Sequence, residues 1–323
     1  MIKVVRTFDF PGALEIEKEI LGDEVEIIEA PSFTEDDLIE NCRGADAVIC
    51  EYEPFTKRVI DALPELKLIA FGTIGFNYAD VEHAKSKNIA VSHISKYCIK
   101  EVADYTMGMM LMLNRRINYF HDNVKKDRIW GFDAFPNMRR FETQTIGLLG
   151  FGNIPRLIAE RLKPFGPKVL AYDPFVDKHE AKNNYNTDMV SYEKVLAEAD
   201  ILSIHLPVNK ETEKMINDES IAKMKDGVIL INAARGQLAD EPAILNAIKS
   251  GKIQHYAADV LSEEDPDLSS HPFMEYENII LTPHIAFYSQ ESVREASVES
   301  AANVKQFFQG NYKEAQIVNG VYL

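Results

Sequence analysis

Residues 145–173, TIGLLGFGNIPRLIAERLKPFGPKVLAYD, constrain this chain more than any other stretch. A short apolar run from Ile146 to Leu149 reads as a buried strand. It ends at Gly150-Phe151-Gly152, a turn that needs bare backbone. From Asn153 the period changes, and Ile154, Leu157, Ile158 and Leu162 fall on one helical face. A second apolar run, Val169–Tyr172, ends at Asp173. Strand, glycine turn, helix and strand make a βαβ unit of the kind that holds a dinucleotide. Its pyrophosphate would sit at the helix start, where unpaired N–H groups and the helix dipole favour an anion. Asp173 stands 21 residues beyond Gly152, where a carboxylate can take the adenosine ribose hydroxyls. The third glycine of the G-x-G-x-x-G pattern is replaced by Pro155. Proline is tolerated in a first helical turn, because the missing N–H has no helical partner there.

The rest of the chain extends the same pattern. Strands are expected at 2–6, 25–28, 47–50, 66–71 and 89–91. Helices are expected at 11–21, 34–41 (capped by Ser32 or Thr34) and 78–86. Strands alternating with helices predict a parallel doubly wound sheet. Beyond the βαβ unit, strands at 201–204, 228–231, 255–258 and 279–281 each run into a polar group. These are His205-Leu206-Pro207, Asn232–Gly236, Asp259 and Thr282-Pro283-His284. In open α/β sheets ligands sit beyond the carboxyl ends of strands. Glu51-Tyr52-Glu53 and Gly72-Thr73-Ile74-Gly75 hold equivalent positions in the first part of the chain, and the glycine loop could offer N–H groups to an anion. A single Met- and Leu-rich helix is expected over 98–120, as a bridge or a subunit interface. A final helix is expected from Ser289 to about Phe308.

Composition removes several classes. A net charge of −16 argues against a nucleic-acid or anionic-membrane surface. Three scattered cysteines, Cys42, Cys50 and Cys98, suit neither a disulfide framework nor a zinc site, and no metal is expected. The default compartment is a reducing cytoplasm. The N-terminus reads as a strand rather than a signal peptide, and no apolar run reaches membrane-spanning length.

Three residues stand out chemically. Arg235, at a strand end beside Gly236, can hold a carboxylate through two parallel hydrogen bonds, although a surface salt bridge would also explain it. His284 can move a proton near neutral pH. Glu264 lies in an acidic loop that would otherwise read as a solvated turn.

Asn232–Gly236 (NAARG), Asp259 followed by Glu264, and Thr282–Ala286 (TPHIA) together resemble the D-isomer-specific 2-hydroxyacid dehydrogenases. The resemblance runs from the Gly72–Gly75 loop to the last helix. Glu101–Thr106 and His284–Ser289 look closest to the branch of the C-terminal-binding proteins and their dehydrogenase-like relatives. The family implies an NAD-binding Rossmann domain, 98–288, inserted into a flavodoxin-like substrate domain formed by 1–97 and 289–323. It implies a reaction cleft between them and a homodimer built on the 98–120 helix and the 121–144 segment. His284 would give a proton to a 2-oxo acid, Glu264 would hydrogen-bond His284 and favour the imidazolium, and Arg235 would clamp the substrate carboxylate. Ile74 and Gly75 would add backbone donors, with Tyr97 in the substrate pocket. Gly150, Gly152, Asn153 and Ile154 would face the pyrophosphate, with Arg156 nearby, and Asp173 the ribose, favouring NAD over NADP. Asp259 would orient the nicotinamide, while Thr106, His205, Pro207, Thr212 and Ala233 would line the cofactor cleft.

The expected activity is reduction of a small 2-oxo acid by NADH. Glu264 in place of an amide disfavours a formate enzyme. An NAD(H)-sensing interaction protein is the alternative from another class. Phosphoglycerate dehydrogenase is a second alternative. It is disfavoured by the length of the tail and by Glu51 and Glu53, since each close like-charged pair costs roughly 1 kcal/mol in water.

Overall fold

The computed structural model describes residues 1–135 and 138–323. It divides into two compact units, a discontinuous one of residues 1–98 with 288–323 and an inserted one of residues 99–287.

In the discontinuous unit, β1 (Ile2–Arg6), β2 (Val25–Glu29), β3 (Ala47–Cys50), β4 (Leu68–Phe71) and β5 (Ala90–Ser92) form one sheet in the order β2-β1-β3-β4-β5. Every pairing is parallel. The central strands β3 and β4 are buried along their whole length, as expected of strands covered on both faces. One face packs Val5, Val48, Ile69 and Val91 against Leu38, Val59 and Ile60. The other packs Val4, Ile49 and Leu68 against Ala301, Val304 and Phe307 of the last helix, Gln290–Phe308. Order and crossovers are those of a flavodoxin-like sheet, with a switch point between β1 and β3.

In the inserted unit, β6 (Thr145–Leu149), β7 (Lys168–Tyr172), β8 (Asp188–Met189), β9 (Ile201–Ile204), β10 (Val228–Asn232), β11 (Ile253–Ala258) and β12 (Ile279–Leu281) are also all parallel. The order β12-β11-β10-β9-β6-β7-β8 reverses between β6 and β9, which is the Rossmann arrangement. Two apolar layers cover its faces. Gly147 in β6 is required by packing, because a Cβ there would come within 2.8 Å of Val195 and Ala199.

Several local expectations need correction. The single helix expected over 98–120 is two, Ile99–Asn114 and Ile117–Asp122, separated where Arg116 takes a left-handed conformation (φ 56°). A π-helical turn, Asn123–Asp127, follows. The helix expected at 11–21 begins at Ala13, after Gly12 at φ 81°. The one expected at 78–86 begins at Val81, because Asp80 accepts from the His83 N–H and caps it. Thr34, not Ser32, caps Glu35–Asn41, in a capping box with Asp37. Helix Lys57–Ala62 and the two-residue edge strand β8 were not anticipated. Both are too short to carry a period. Among the described residues no helix is long and apolar enough to cross a membrane.

Candidate active site

In the inserted unit the loops after β6, β7, β9, β10, β11 and β12 carry the candidate polar groups at the carboxyl edge of the sheet, with Thr106 apart in the Ile99–Asn114 helix. After β6, Gly150 holds φ 91°, and a Cβ there would fall 2.4 Å from the His205 carbonyl oxygen. Only glycine fits the approach of these two loops. Gly152 has open space around its Cβ position and gives no side-chain cap to helix Asn153–Leu162. The N–H groups of Asn153 and Ile154 at that helix start have no helical partners. Pro155 is buried in the first turn, and the first helical bond forms normally, from Arg156 N to Gly152 O at 3.1 Å. Asp173 accepts from the Phe151 N–H through one oxygen and from the Phe175 N–H through the other, both at 2.9 Å. Each oxygen keeps a lone pair for a ribose hydroxyl. Uncapped donors, an open glycine and a tethered carboxylate fit a dinucleotide.

His205 bonds Ser203 through Nε2 at 2.8 Å, and desolvation holds its pKa down to about 3, so it is a neutral ring. Thr212 donates to Pro207 O at 2.6 Å and accepts from the Asn209 N–H, tying the loop after β9 into one piece. Thr106 is fully buried, with its hydroxyl bonded to Val102 O in the preceding helical turn.

The chemical centre is built after β10, β11 and β12. Asn232 closes a turn by accepting from the Ala234 N–H and donating to Arg235 O, with Ala233 between. The next residue, Gly236, admits no side chain, since a Cβ would stand 1.9 Å from Leu261 O. Arg235 is partly buried, and among the described residues its side chain bonds the Ala234 carbonyl alone, at 2.6 Å. Among the described residues it has no carboxylate partner, so the surface salt bridge is excluded as its explanation. Asp259, 1% exposed, accepts from Thr282 Oγ1 (2.5 Å), Ile285 N (2.9 Å) and Ala286 N (2.8 Å). Burial raises its pKa against these bonds. It also fixes His284 through its own carbonyl, which accepts the His284 N–H at 2.8 Å. That brace explains how His284 is held at φ 51°, an uncommon conformation for a non-glycine residue. Tyr105 hydroxyl to Thr282 Oγ1, 2.6 Å, extends the brace to the Ile99–Asn114 helix. Sequence reading missed Thr282 and Tyr105 as a pair, since 177 residues separate them. His284 Nδ1 lies 2.8 Å from Glu264 Oε2, with side-chain exposures of 23% and 33%. The solvated-turn reading of Glu264 is thereby replaced by a carboxylate oriented on an imidazole.

The discontinuous unit carries its own anion-shaped loop. Thr73 Oγ1 donates to Gly75 O at 2.7 Å, His93 Nδ1 to Ile74 O at 2.9 Å, and Ile94 N to Thr73 O at 3.2 Å. The carbonyls of Thr73, Ile74 and Gly75 are thus satisfied, whereas the N–H groups of Ile74 and Gly75 have no acceptor among the described residues. Tyr97 is 7% exposed, and burial raises its pKa. Glu53 accepts from Thr7 Oγ1 (2.8 Å) and the Glu51 N–H (2.6 Å). Burial, reinforced by Glu53, pushes Glu51 up to about 8. Glu51 is therefore mostly a neutral acid at pH 7. The repulsion argument against a phosphorylated substrate is weakened accordingly.

The family model described as "D-isomer specific 2-hydroxyacid dehydrogenase, NAD binding domain" matches residues 107–286. A hydroxypyruvate reductase of Blautia hydrogenotrophica is 30% identical over 93% of this chain and 94% of its own length. A D-3-phosphoglycerate dehydrogenase of Mycobacterium leprae is 31% identical over 90% of this chain, which spans only 54% of that protein. Among solved structures, D-lactate dehydrogenase from Aquifex aeolicus, complexed with NAD and lactic acid, superposes with a TM-score of 0.86. It is 30% identical, with 98% of this chain and 99% of that one covered. A family model over more than half the chain, joined to relatives matched along nearly their whole length, shows that this chain belongs to the NAD-dependent oxidoreductases of the D-isomer-specific 2-hydroxyacid dehydrogenase family.

Proposed function

We propose that this chain reduces a small 2-oxo acid to the corresponding 2-hydroxy acid, with NADH as reductant. The observation that carries the reading is the His284–Glu264 hydrogen bond, held on a loop that Asp259 braces from three backbone and side-chain donors. With Nδ1 committed to Glu264, Nε2 is the nitrogen that delivers a proton to the carbonyl oxygen. Glu264 stabilises the imidazolium before transfer. Arg235, with no carboxylate partner among the described residues, holds the substrate carboxylate in a bidentate grip. The N–H groups of Ile74 and Gly75 are proposed as further donors to that carboxylate, with Tyr97 lining the pocket. Gly150, Gly152, Asn153 and Ile154 seat the pyrophosphate and Asp173 the ribose. Asp259 is proposed to orient the nicotinamide, and Thr106, His205, Pro207, Thr212 and Ala233 to line the cofactor site. Bound NADH supplies the hydride to the carbonyl carbon.

The substrate is proposed to be an unphosphorylated acid such as hydroxypyruvate or glyoxylate, the substrate named for the Blautia hydrogenotrophica relative being hydroxypyruvate. A cytoplasmic homodimer built on the Ile99–Asn114 helix and the segment after it belongs to the same reading. Trp130 (91% exposed) and Phe132 (90%) give that segment apolar surface to cover.

The test is loss of NADH absorbance with glyoxylate, pyruvate, hydroxypyruvate, 2-oxoisocaproate, phenylpyruvate and 3-phosphohydroxypyruvate, with NADPH in parallel. One unphosphorylated acid should be turned over, and His284→Ala should slow it about 10²- to 10⁴-fold with NADH binding intact. Absence of turnover with every acid, NADH still binding, would replace this reading with that of an NAD(H) sensor.

A further inference from the structure

The opposite edge of the seven-stranded sheet, at the amino ends of its strands, carries a polar cavity. It has a volume of about 400 Å³ and lies entirely within the inserted unit. Asn114, Arg116, Gln144, Asp200, Lys225 and Gly227 contribute to its wall.

The charges of this wall do not balance locally. Asp200 is saturated: it pairs with Arg139 and Lys225, each at 3.0 Å, and accepts the Thr145 N–H at 2.8 Å. Asp226, also on the wall, pairs with Lys252 at 2.8 Å and is 91% exposed. Arg116 is different. It is 7% exposed and has no hydrogen bond or ion pair from its guanidinium among the described residues; its Nη1 is buried with no partner among them. Its guanidinium carbon lies 5.1 Å from the centre of the Phe135 ring. Asn114 stands two residues away. Its carbonyl oxygen accepts from Gln144 Nε2 at 3.2 Å, which fixes the amide so that Nδ2 is the unsatisfied atom.

Two buried donors on one wall therefore lack acceptors among the described residues, and one of them is permanently charged. Burial without a counter-charge is among the costliest arrangements a folded chain can hold. The backbone enforces it: the left-handed turn at Arg116 breaks the helix and brings Arg116 and Asn114 to the same wall. What the wall lacks is an acceptor-rich anion.

We infer that this cavity is a binding site for a small oxyanion, phosphate or a phosphate monoester, held by the Arg116 guanidinium and the Asn114 amide and remote from the catalytic edge of the sheet. A tetrahedral oxyanion supplies acceptors to both orphan donors and a counter-charge to Arg116. A cavity of this size has room for a phosphate with a small organic group attached.

The test uses the full chain with saturating NAD, so that the dinucleotide site cannot account for binding. Inorganic phosphate is exchanged for chloride at constant ionic strength, and the melting temperature and the phosphorus-31 line width of phosphate are both followed. Wild-type protein should gain a few degrees in phosphate and broaden the phosphate line. Arg116→Met should do neither while oxidising NADH at the wild-type rate, and Arg116→Lys should retain part of the effect. An equal response in Arg116→Met would overturn the site, because phosphate would then be bound elsewhere. So would a wild-type protein that neither gains stability nor broadens the line. Should Arg116→Met fail to fold, Asn114→Ala must weaken phosphate binding, and unchanged binding in that variant overturns the inference equally.

Discussion

At the scale of single residues, the site depends on places where no side chain fits. Gly236 illustrates this best. Its Cβ position lies 1.9 Å from Leu261 O and 2.5 Å from Ser262 N, both backbone atoms that no rotamer change can move. Gly236→Ala must shift either the Arg235 turn or the strand-end loop that leads to Glu264. We expect destabilisation of about 3 kcal/mol or more, as for other enforced overlaps in a packed region, together with loss of 2-oxo acid reduction. Urea titration and the NADH assay check it. Wild-type values in both would mean that the loops part without cost. The sequence carried Gly236 as part of a motif, and with it Arg235, Glu264 and His284. It could not carry the reason for the glycine, since Leu261 approaches from another strand end. Nor could it show that Arg235 has no carboxylate partner among the described residues or that burial raises the Glu51 pKa. Those facts depend on neighbours distant in sequence and on burial.

At the scale of elements, legibility followed the strength of local signals. The strands and the βαβ unit were readable because apolar runs and a change of period are local properties of the chain. The break at Arg116 was not, because no Gly or Pro marks it: the Met- and Leu-rich run 107–113 passes directly into Asn114-Arg115-Arg116. There the left-handed turn wins over propensity: Arg116 N bonds Leu113 O at 3.2 Å and ends the helix. The start of the last helix was readable from its cap. Ser289 is that cap, accepting the Ser292 N–H at 2.9 Å while Ser292 Oγ accepts the Ser289 N–H at 2.9 Å. Ser289→Ala should cost about 1 kcal/mol, lowering the denaturation midpoint with the denaturant slope unchanged. A midpoint identical to wild type would show that the 19-residue helix is held by its packing on Val4, Ile49 and Leu68 alone.

At the scale of the whole molecule, the two units should respond to pH in opposite senses. The discontinuous unit buries carboxyls. Arg6 and Glu17 are both fully buried, with Arg6 Nε 3.1 Å from Glu17 and Nη1 2.7 Å from Glu29. Burial outweighs the pull of Arg6 and pushes Glu17 up to about 7, while Glu51 rises to about 8. Between the unfolded carboxyl value of 4.5 and these folded values, the folded chain binds protons that the unfolded chain has released. Stability from these groups therefore falls as pH rises from about 5 to 8. The inserted unit buries neutral imidazoles instead. Desolvation lowers His205 to about 3, and desolvation followed by the Arg116 charge lowers His255 to about 4. Below the unfolded imidazole value of 6.5, the unfolded chain takes up the protons, so stability from this unit rises with pH and is complete near neutrality. The melting temperature should thus pass through a maximum between pH 5 and 7, falling on the acid side through the inserted unit and on the alkaline side through the discontinuous one. Glu51→Gln keeps a neutral side chain at every pH and should flatten only the alkaline limb. If that limb is unchanged in Glu51→Gln and in Glu17→Gln alike, the buried carboxyls are not the groups that set it.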